Sequence, residues 1–359
     1  MRKIDRYIGL AVFSGIFIVL FVLVGLFTFF TFIEEIEDIG NQGYSTWDAT
    51  LYVVYLMPRQ IYDLFPTAVL LGTLVGLGGL ANNNELTVIR AAGVSIFRIT
   101  LASLQVSLFL TLMAMLLGEA IAPQWEQYAK DLRADAKSAP QQQSQTFSHR
   151  WYGYWGREGD DFISIQRILS DGGFGDIVLY RFTPEQQLQT TIHARKAYYE
   201  QHGWQFYDVI KQDMSTQGVY QSELSEYRWE AELNPELVKH VVVRPEKLSS
   251  LGLYEYIQYL KRNGQSSNEY ELALWSRLSY PFVSITMVFL AVPFIFGSLR
   301  NVAIGERMLK GAFFGIGFYM FNKIVGNASL VYGWHPIFSA LLPPLIFLSF
   351  TIYLMRRQD

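Results

Sequence analysis

The stretch Leu80-Ala-Asn-Asn-Asn-Glu85-Leu-Thr-Val-Ile-Arg90-Ala-Ala-Gly93-Val-Ser95 separates two long apolar segments and decides how the chain is organised. Its asparagines are N-cap candidates, and Glu85 would lie in the first helical turn, where the helix dipole favours an acid. Gly93 is placed as a stop signal. The stretch therefore predicts a short helix at about residues 82–95, with a shape suited to docking on a partner. Its apolar face is predicted from residues spaced by three, namely Leu86, Ile89 and, more weakly, Ala92.

The flanking composition is that of a membrane protein. The chain has 359 residues, 51% of them hydrophobic and 17% charged, whereas soluble proteins average about 25% charged residues. The apolar residues concentrate at about 8–122 and 271–355, with a polar block between them. We therefore expect an α-helical membrane protein with an inserted water-facing domain. The expected parts are residues 1–139 with the first three spans and the short helix, 140–247 with the inserted domain, and 248–359 with the remaining spans.

Six apolar segments are long enough to cross a bilayer core about 30 Å thick. The first is too long for the apolar core of a signal peptide and lacks a small-residue cleavage pattern, so we interpret it as a retained span. Gly72 with Gly76, and Gly311 with Gly315, form small-xxx-small pairs of the kind on which helices pack closely in lipid. Glycine that is simply tolerated in a span explains the first pair about equally well. The expected spans are about 7–33, 61–81, 97–122, 271–296, 308–325 and 337–355.

The orientation of the spans follows from the lysines and arginines in short loops. The two short loops on one side contain neither residue. Both termini and the short helix are therefore expected in the cytoplasm, and the inserted domain in the periplasm of a bacterium. The basic residues on the cytoplasmic side would be Arg2, Lys3, Arg6, Arg90, Arg98, Arg300, Arg307, Lys310, Arg356 and Arg357.

The middle block changes its period to that of β-strands. Short β-like runs, separated by turn signals, favour an all-β domain of the sandwich or jelly-roll-like kind. A flexible hinge is expected at 141–145, before this domain. After it, residues 248–260 are amphipathic and are interpreted as an elbow helix that returns the chain to the membrane. The expected strands include 162–165, 177–182, 190–199, 204–210 and 240–243.

Motifs for catalysis are absent from the sequence. There is no cysteine, no G-x-x-x-x-G-K-[ST] loop for nucleotide phosphates and no G-x-S-x-G nucleophile elbow. The five histidines form no helical i, i+4 pair, so we expect no metal site. A net charge of -3 implies nothing about nucleic acid. We therefore expect neither an enzyme nor a cofactor-binding chain.

A polar set does lie at the predicted outer ends of the spans. Ionisable residues at membrane depth are costly and usually face a cavity, although snorkelling to the interface explains each one alone equally well. Arginine and lysine bind phosphate by charge-assisted hydrogen bonds. Together the set therefore predicts a site for an anionic amphiphile. Its predicted ligand-binding members are Arg59, Asp63, Lys130, Arg133, Lys137, Arg277 and Lys323, accompanied by Glu119 and Asn322.

Several motifs together make the chain similar to a known family. They are Asp5–Gly9, Leu80–Gly93, Gly118–Pro123, Tyr256–Gln265, Phe296–Arg300 and Val331–Gly333. With these motifs the chain resembles the lipopolysaccharide-export permeases LptF and LptG, and within them the LptG type, over nearly its whole length. The resemblance implies a pairing with an LptF-type permease and a dimer of the LptB-type ATPase, which would bind the ATP and Mg²⁺. The short helix would be the coupling helix, with Glu85 facing a basic residue of the ATPase. The implied coupling residues are Asn84, Glu85, Leu86, Ile89, Arg90 and Gly93.

The same resemblance implies the substrate and the remaining partners. Lipopolysaccharide would leave the outer leaflet of the inner membrane and pass through a β-jelly roll to a periplasmic bridge protein. An LptC-type single-span protein would lie near the first span. Arg59, Lys130 and Arg133 stand where the family meets lipid phosphates. Relatives carry lysines near the end of the first span, where this chain has Thr31, Glu37 and Asp38; phosphate binding there would need a bridging divalent cation.

Two other functions remain open from the residues. A mechanotransmitting subunit would relay ATPase motion to a periplasmic partner without binding lipid itself, and it would need no cationic cavity. A membrane enzyme acting on lipid would need a nucleophile or metal constellation, which the sequence does not supply.

Overall fold

The computed structural model describes residues 3–40, 43–137, 154–168, 173–200, 203–215, 218–231, 245, 248–296 and 304–356. Contacts divide the chain into one unit of residues 1–139 with 271–359 and a second unit of residues 140–270. Three predicted regions lie outside the described residues: the hinge at 141–145, the strand at 240–243, and residues 298–303 between the predicted fourth and fifth spans.

The first unit is helical, and its second helix is unusually long. The predicted second span, 61–81, is part of a longer helix that begins at Thr46 and continues through Pro58 and Pro66. A five-residue π-helical turn, Leu117–Ile121, lies between α4 and α5. The helices are α1 (Lys3–Ile36), α2 (Thr46–Asn82), α3 (Glu85–Ala91), α4 (Ile96–Leu116), α5 (Ala122–Lys137), α7 (Asn268–Leu278), α8 (Tyr280–Phe296), α9 (Ile304–Tyr332) and α10 (Pro336–Arg356).

The number of spans is only partly supported. Among the described residues, four helices are long and apolar enough to cross a membrane, and a fifth span results if α7 and α8, which meet at 51°, count as one. Helix α9 has 29 residues, so its length of about 43 Å is sufficient. Its polar Asn322, Lys323 and Asn327 and its glycines keep its hydropathy low. The sixth span therefore stays a prediction.

Glycines hold α2 against two neighbouring helices. A Cβ on Gly72 would overlap the backbone of Ile16 in α1, and one on Gly76 would overlap the backbone of Val12. A Cβ on Gly311 of α9 would overlap the Leu74 side chain. Close backbone approach of this kind is how small residues pack helices in lipid. The predicted roles of both glycine pairs as packing surfaces are confirmed.

The second unit is a six-stranded antiparallel sheet in which each strand pairs with the next one in the chain. This order is a meander, so the Greek-key crossings of a jelly roll are not seen among the described strands. The predicted all-β character is confirmed. The strands are β1 (Tyr154–Glu158), β2 (Asp161–Ile168), β3 (Phe174–Phe182), β4 (Leu188–Glu200), β5 (Gly203–Ser215) and β6 (Gly218–Trp229).

A crease crosses the middle of this sheet. Asp176 of β3 and Asp208 of β5 have φ of 51° and 54°, and the ladder pairs skip them together with Arg195 of β4. An extra residue in a strand bends it and would reverse its two faces. Adjacent strands carry the extra residue at the same level, so their pairing continues on both sides of it. The spacing of buried residues, normally two, is three at this level, as from Ala194 to Ala197, and the same face of the sheet stays buried.

Helix α6 (Ser250–Arg262) belongs to the sheet unit. Its Tyr256, Tyr259 and Leu260 are buried in one cluster with the inward residues of the sheet. We expected its apolar face to repeat every three residues, but Leu251 and Tyr254 are exposed. A helix has 3.6 residues per turn, so a strict period of three drifts around its surface. The elbow helix therefore packs on the sheet as well as leading towards α7.

Candidate functional site

The connecting helix α3 is shorter than predicted and is bounded by two residues with positive φ. Asn84 occupies the N-cap position, but at φ 61° it makes no side-chain cap. Gly93 has φ +85°, and the Gly93 and Val94 N–H groups donate to the carbonyls of Arg90 and Ile89. These two bonds form a Schellman motif, which ends a helix at a glycine. The predicted stop at Gly93 is confirmed, whereas the expected asparagine cap is replaced by a left-handed turn.

Glu85 is tied to the start of the first helix. The Tyr7 hydroxyl donates a 2.6 Å hydrogen bond to Glu85 Oε2, and Asn83 Nδ2 donates to Oε1 at 3.2 Å. Glu85 lies in the first turn of α3, as predicted. A carboxylate has about four acceptor positions, so these two donors leave it able to accept from another group. The side chain is thus oriented and still available.

A second polar contact fastens the same end of the bundle. Arg98, in the first turn of α4, bonds Asp5 of α1 through two parallel hydrogen bonds of 3.1 and 3.2 Å. Bidentate pairing fixes geometry as well as charge. Leu86 is only 3% exposed and belongs to the helical core. Helix α3 is therefore held through Leu86 and Glu85, and the end of α1 that it contacts is itself fastened to α4.

The opposite face of α3 is open. Val88 of α3 is 68% exposed, and Phe97, in the first turn of the following helix α4, is 64% exposed. Arg90 is exposed, and its guanidinium lies 5.9 Å from the centre of the Phe296 ring. Ala92, which we weakly assigned to the apolar face, is also exposed. Two grooves flank the helix, one of about 520 Å³ beside Tyr7 and one of about 360 Å³ beside Phe296. The arrangement is a rigidly seated helix with an exposed, partly apolar surface.

The predicted cationic set is largely paired with acids of the same chain. Arg59 bonds Asp63 at 3.0 Å, and Lys130 bonds Glu126 at 3.3 Å. Arg277, which is 7% exposed, bonds Glu119 at 2.7 Å. Lys323 is exposed and makes no ion pair with any residue that the structure describes. Lys137 ends α5, but its side chain lies outside the described part of the chain.

Arg133 is the centre of the most elaborate of these contacts. It bonds Asp38 at 2.7 Å and Glu35 at 3.1 Å, at the end of α1. The Tyr44 hydroxyl donates to Glu35, and burial together with this bond raises the pKa of Tyr44. The Nε of Arg133 is buried and has no acceptor in the described structure. Arg133 is thus compensated in charge but retains one unused donor.

Sequence reasoning missed the partners of these residues. Asp5 and Tyr7 lie in a quoted motif, but nothing in it indicated contacts with Arg98 and Glu85. Glu35 was not among the predicted site residues. Its position could have been informative. Glu35 lies near the C-terminal end of α1, where the helix dipole is negative, and an acid there is stabilised by a nearby cation. Among the described residues, no group of three or more His, Asp or Glu side chains is placed to hold a metal ion.

The apolar helices, the inserted antiparallel sheet and the polar positions at both helix ends define a class, the helical membrane proteins with an extramembrane β domain. The family model for the lipopolysaccharide export system permease LptF/LptG matches residues 6–357. The LptG permease protein of Haemophilus influenzae is 36% identical over 361 residues, covering 100% of this chain and 99% of the relative. The LptG protein of Escherichia coli K12 is 34% identical over 359 residues, covering 99% and 98%.

The chain therefore belongs to the LptF/LptG family of lipopolysaccharide export permeases. Its relatives of known name are permease proteins, which agrees with a non-enzymatic membrane subunit. Family membership and the several apolar helices make it a multi-pass inner-membrane protein.

Proposed function

We propose that this chain is the LptG-type membrane subunit of an ATP-driven exporter. It extracts lipopolysaccharide from the outer leaflet of the inner membrane and passes the lipid to a periplasmic bridge. Both termini and α3 lie in the cytoplasm, and the β domain lies in the periplasm. ATP and Mg²⁺ are bound by a separate LptB-type ATPase dimer, and this chain holds no cofactor.

One observation carries the proposal, namely the seating of α3. Its inner face is fixed by Leu86 and by the bond between Tyr7 and Glu85, while Val88 and Arg90 are exposed. A helix that is rigid towards its own bundle and open on the other side transmits a push without absorbing it. The grooves beside it supply apolar and polar contacts for an ATPase subunit. The proposed docking residues are Asn84, Glu85, Ile89, Arg90 and Gly93, whereas Leu86, also expected from the sequence, is buried and holds the helix on its own bundle instead.

Membership in an export-system family supports the existence of further partner subunits, and we propose two. An LptF-type permease forms the second half of the membrane complex. An LptC-type single-span protein packs near α1, whose apolar surface includes Phe17 and Phe21, 63% and 73% exposed. These side chains need lipid or another helix around them.

The lipid site is formed by the paired cations at the end of the bundle opposite to α3. Phosphate groups of lipopolysaccharide exchange with the carboxylates that hold Arg59 and Arg133 when the site is empty. Arg133 Nε supports this role because it is a buried donor that needs an acceptor. A phosphate oxygen is a suitable acceptor for a guanidinium.

The second candidate function is mechanotransmission without lipid binding. It is favoured by the pairing itself, because Arg59, Lys130 and Arg277 each have a carboxylate partner in the chain. In this alternative the pairs only hold helices together. The two functions differ in whether lipid reaches Arg59 and Arg133.

Photo-crosslinking in the assembled exporter tests this difference. A photoreactive residue at position 59 or 133 is expected to capture lipopolysaccharide in membranes. The matched control is position 310, because Lys310 is also ion-paired, with Glu306 at 2.7 Å, but lies near the α3 end. Capture at 59 or 133 and not at 310 supports lipid extraction. A fully active complex without any adduct at 59 and 133 would favour mechanotransmission.

A further inference from the structure

Three neighbouring helical segments are interrupted where they meet. Helix α2 contains Pro66, which has no N–H to donate within the helix. The helix from α4 to α5 contains the π-helical turn Leu117–Ile121. Helices α7 and α8 join at an angle of 51°. Proline breaks and π-turns weaken a helix locally, and π-turns are frequent at functional sites. Their coincidence identifies one bending level in the bundle.

The contact between these segments is made by two tyrosines. In an uninterrupted helix, the carbonyl of Tyr62 would accept a hydrogen bond from residue 66. Pro66 cannot make that bond, and the Tyr280 hydroxyl of α8 donates to this carbonyl instead, at 2.5 Å. The rings of Tyr62 and Tyr280 also stack, with their centres 4.6 Å apart. A side chain from another helix thus replaces the missing backbone bond of α2.

The π-turn packs against the same tyrosine. A Cβ on Gly118 would overlap the Tyr62 ring, so only glycine allows this approach. The next residue, Glu119, bonds Arg277 of α7 at 2.7 Å. All three interruptions are therefore connected through one set of contacts, which we call the tyrosine joint: Tyr62, Pro66, Gly118 and Tyr280.

The joint divides α2 into two parts with different attachments. Beyond Pro66, α2 leads directly to α3. Before Tyr62, Tyr55 packs its ring on Trp125 of α5 at 5.6 Å. Arg59, on the same part, lies 5.6 Å from the centre of the Tyr62 ring. Lys130 and Arg133 are carried by α5. The candidate phosphate-binding cations thus lie on one side of the joint, and the docking helix lies on the other.

We propose that Tyr280 is a positioning residue for lipid transfer. It holds the turn of α2 that lacks a backbone hydrogen bond at Pro66 against α8. A displacement of α3 then moves Arg59 and its neighbours instead of only bending α2 at Pro66. This inference rests on the proposed export function and extends it to residues outside the predicted lipid-binding set. The role is mechanical, because both the hydroxyl and the ring of Tyr280 act on Tyr62 of α2.

The test compares Tyr280→Phe with the double variant Tyr280→Phe/Pro66→Ala in the full exporter reconstituted in proteoliposomes. Tyr280→Phe keeps the stacked ring but leaves the Tyr62 carbonyl without its donor. Pro66→Ala restores a backbone N–H that can satisfy that carbonyl within α2. Thermal stability and lipopolysaccharide transferred per ATP hydrolysed are measured for each. Pro58→Ala, in the same helix but outside the joint, is the matched control.

Tyr280→Phe is expected to lower lipid transferred per ATP about fivefold, the effect of one net hydrogen bond. The double variant is expected to regain wild-type stability while its transfer per ATP stays low, because the link to α8 is still missing. Recovery of transfer together with stability would show that Tyr280 only satisfies a carbonyl, and normal transfer by Tyr280→Phe would also overturn the positioning role. If the wild-type exporter itself moves no lipopolysaccharide, the proposed function is wrong and this inference falls with it.

Discussion

The hydroxyl of Tyr7 and the carboxylate of Glu85 are joined by a 2.6 Å hydrogen bond, although 78 positions separate them in the chain. This bond fixes the first residue of α3 to the start of α1. Helix α3, the proposed docking helix, is therefore attached to α1 as well as to the loops that connect it with α2 and α4. A force applied to α3 is therefore delivered to the bundle at a defined point.

Glu85→Gln separates the charge of this residue from its position. Glutamine still accepts the Tyr7 hydrogen bond but cannot form an ion pair with a basic residue of the ATPase. We expect the affinity for the LptB-type ATPase to fall about tenfold, because charge-assisted hydrogen bonds are roughly twice as strong as neutral ones. Titration of the purified membrane subunits with the ATPase measures this. Tyr7→Phe, which leaves the charge intact, should lower affinity by only about threefold. Equal losses in both variants would contradict a charged contact.

The pair of Asp5 and Arg98 is expected to fasten α1 to α4. Asp5→Asn should lower the free energy of unfolding by about 1 kcal/mol, since the pair is bidentate but partly exposed. The exchange Asp5→Arg with Arg98→Asp should restore most of this loss. The exchange removes an acid from the first turn of α1 and places one in the first turn of α4. The loss and gain of favourable interaction with the two helix dipoles therefore nearly cancel. Thermal unfolding in detergent measures both. Glu306→Gln, in an exposed i, i+4 pair, should change stability little. A swap no better than the single variants would argue against the pair.

Gly72→Ala should separate α1 from α2. The added Cβ would overlap backbone atoms of Ile16, which cannot move aside as a flexible side chain can. Overpacking of this kind costs about 1–3 kcal/mol. Gly79→Ala, in the same helix, meets no atom within 4 Å and should be neutral or slightly stabilising. Limited proteolysis and thermal melting of the two variants compare them directly. A Gly72→Ala protein as stable as Gly79→Ala would show that the helices are not in close contact.

In the β domain, Asp161 is expected to be the most sensitive acid. It accepts two hydrogen bonds from Arg181, at 2.8 and 2.7 Å, and one from Trp229 Nε1 at 2.9 Å. The bonds to Asp161 raise the pKa of Arg181. Asp161→Ala would leave both donors without this acceptor and should cost about 2 kcal/mol, with Arg181 partly screened by solvent. Tryptophan fluorescence during denaturation of the full chain measures this. Asp160→Ala, at an exposed neighbouring position, is the control; equal effects would refute the assignment.

The sequence predicted the elements that depend on local patterns. The apolar segments, the short helix with Glu85 in its first turn, and the stop at Gly93 were recognisable because each depends on neighbouring residues. The small-residue pairs also indicated packing surfaces, although glycine that is merely tolerated in a span explained the sequence about equally well. The β character of the middle block followed from its period.

Contacts between distant residues could not be predicted in this way. Arg133 was predicted to bind lipid phosphate, and its ion pairs with Glu35 and Asp38 depend on how α1 and α5 meet. The hydrogen bond that the Tyr62 carbonyl accepts in place of one from Pro66 could not be predicted either, because its donor, Tyr280, is 218 positions away in the chain. The crease in the sheet depends on aligned irregularities in adjacent strands, which no single strand reveals. In each case the physical cause is a tertiary relationship.

The central claim is that a push on α3 moves a lipid held near Arg59. The most direct measurement is the yield of lipopolysaccharide crosslinked at position 59 in the reconstituted exporter, before and after ATP is added. We predict that the adduct forms without ATP, declines when the wild-type complex hydrolyses ATP, and persists in Glu85→Ala at a matched rate of hydrolysis. An adduct that is unaffected by ATP in the wild-type complex, or that declines equally in Glu85→Ala, would contradict the claim.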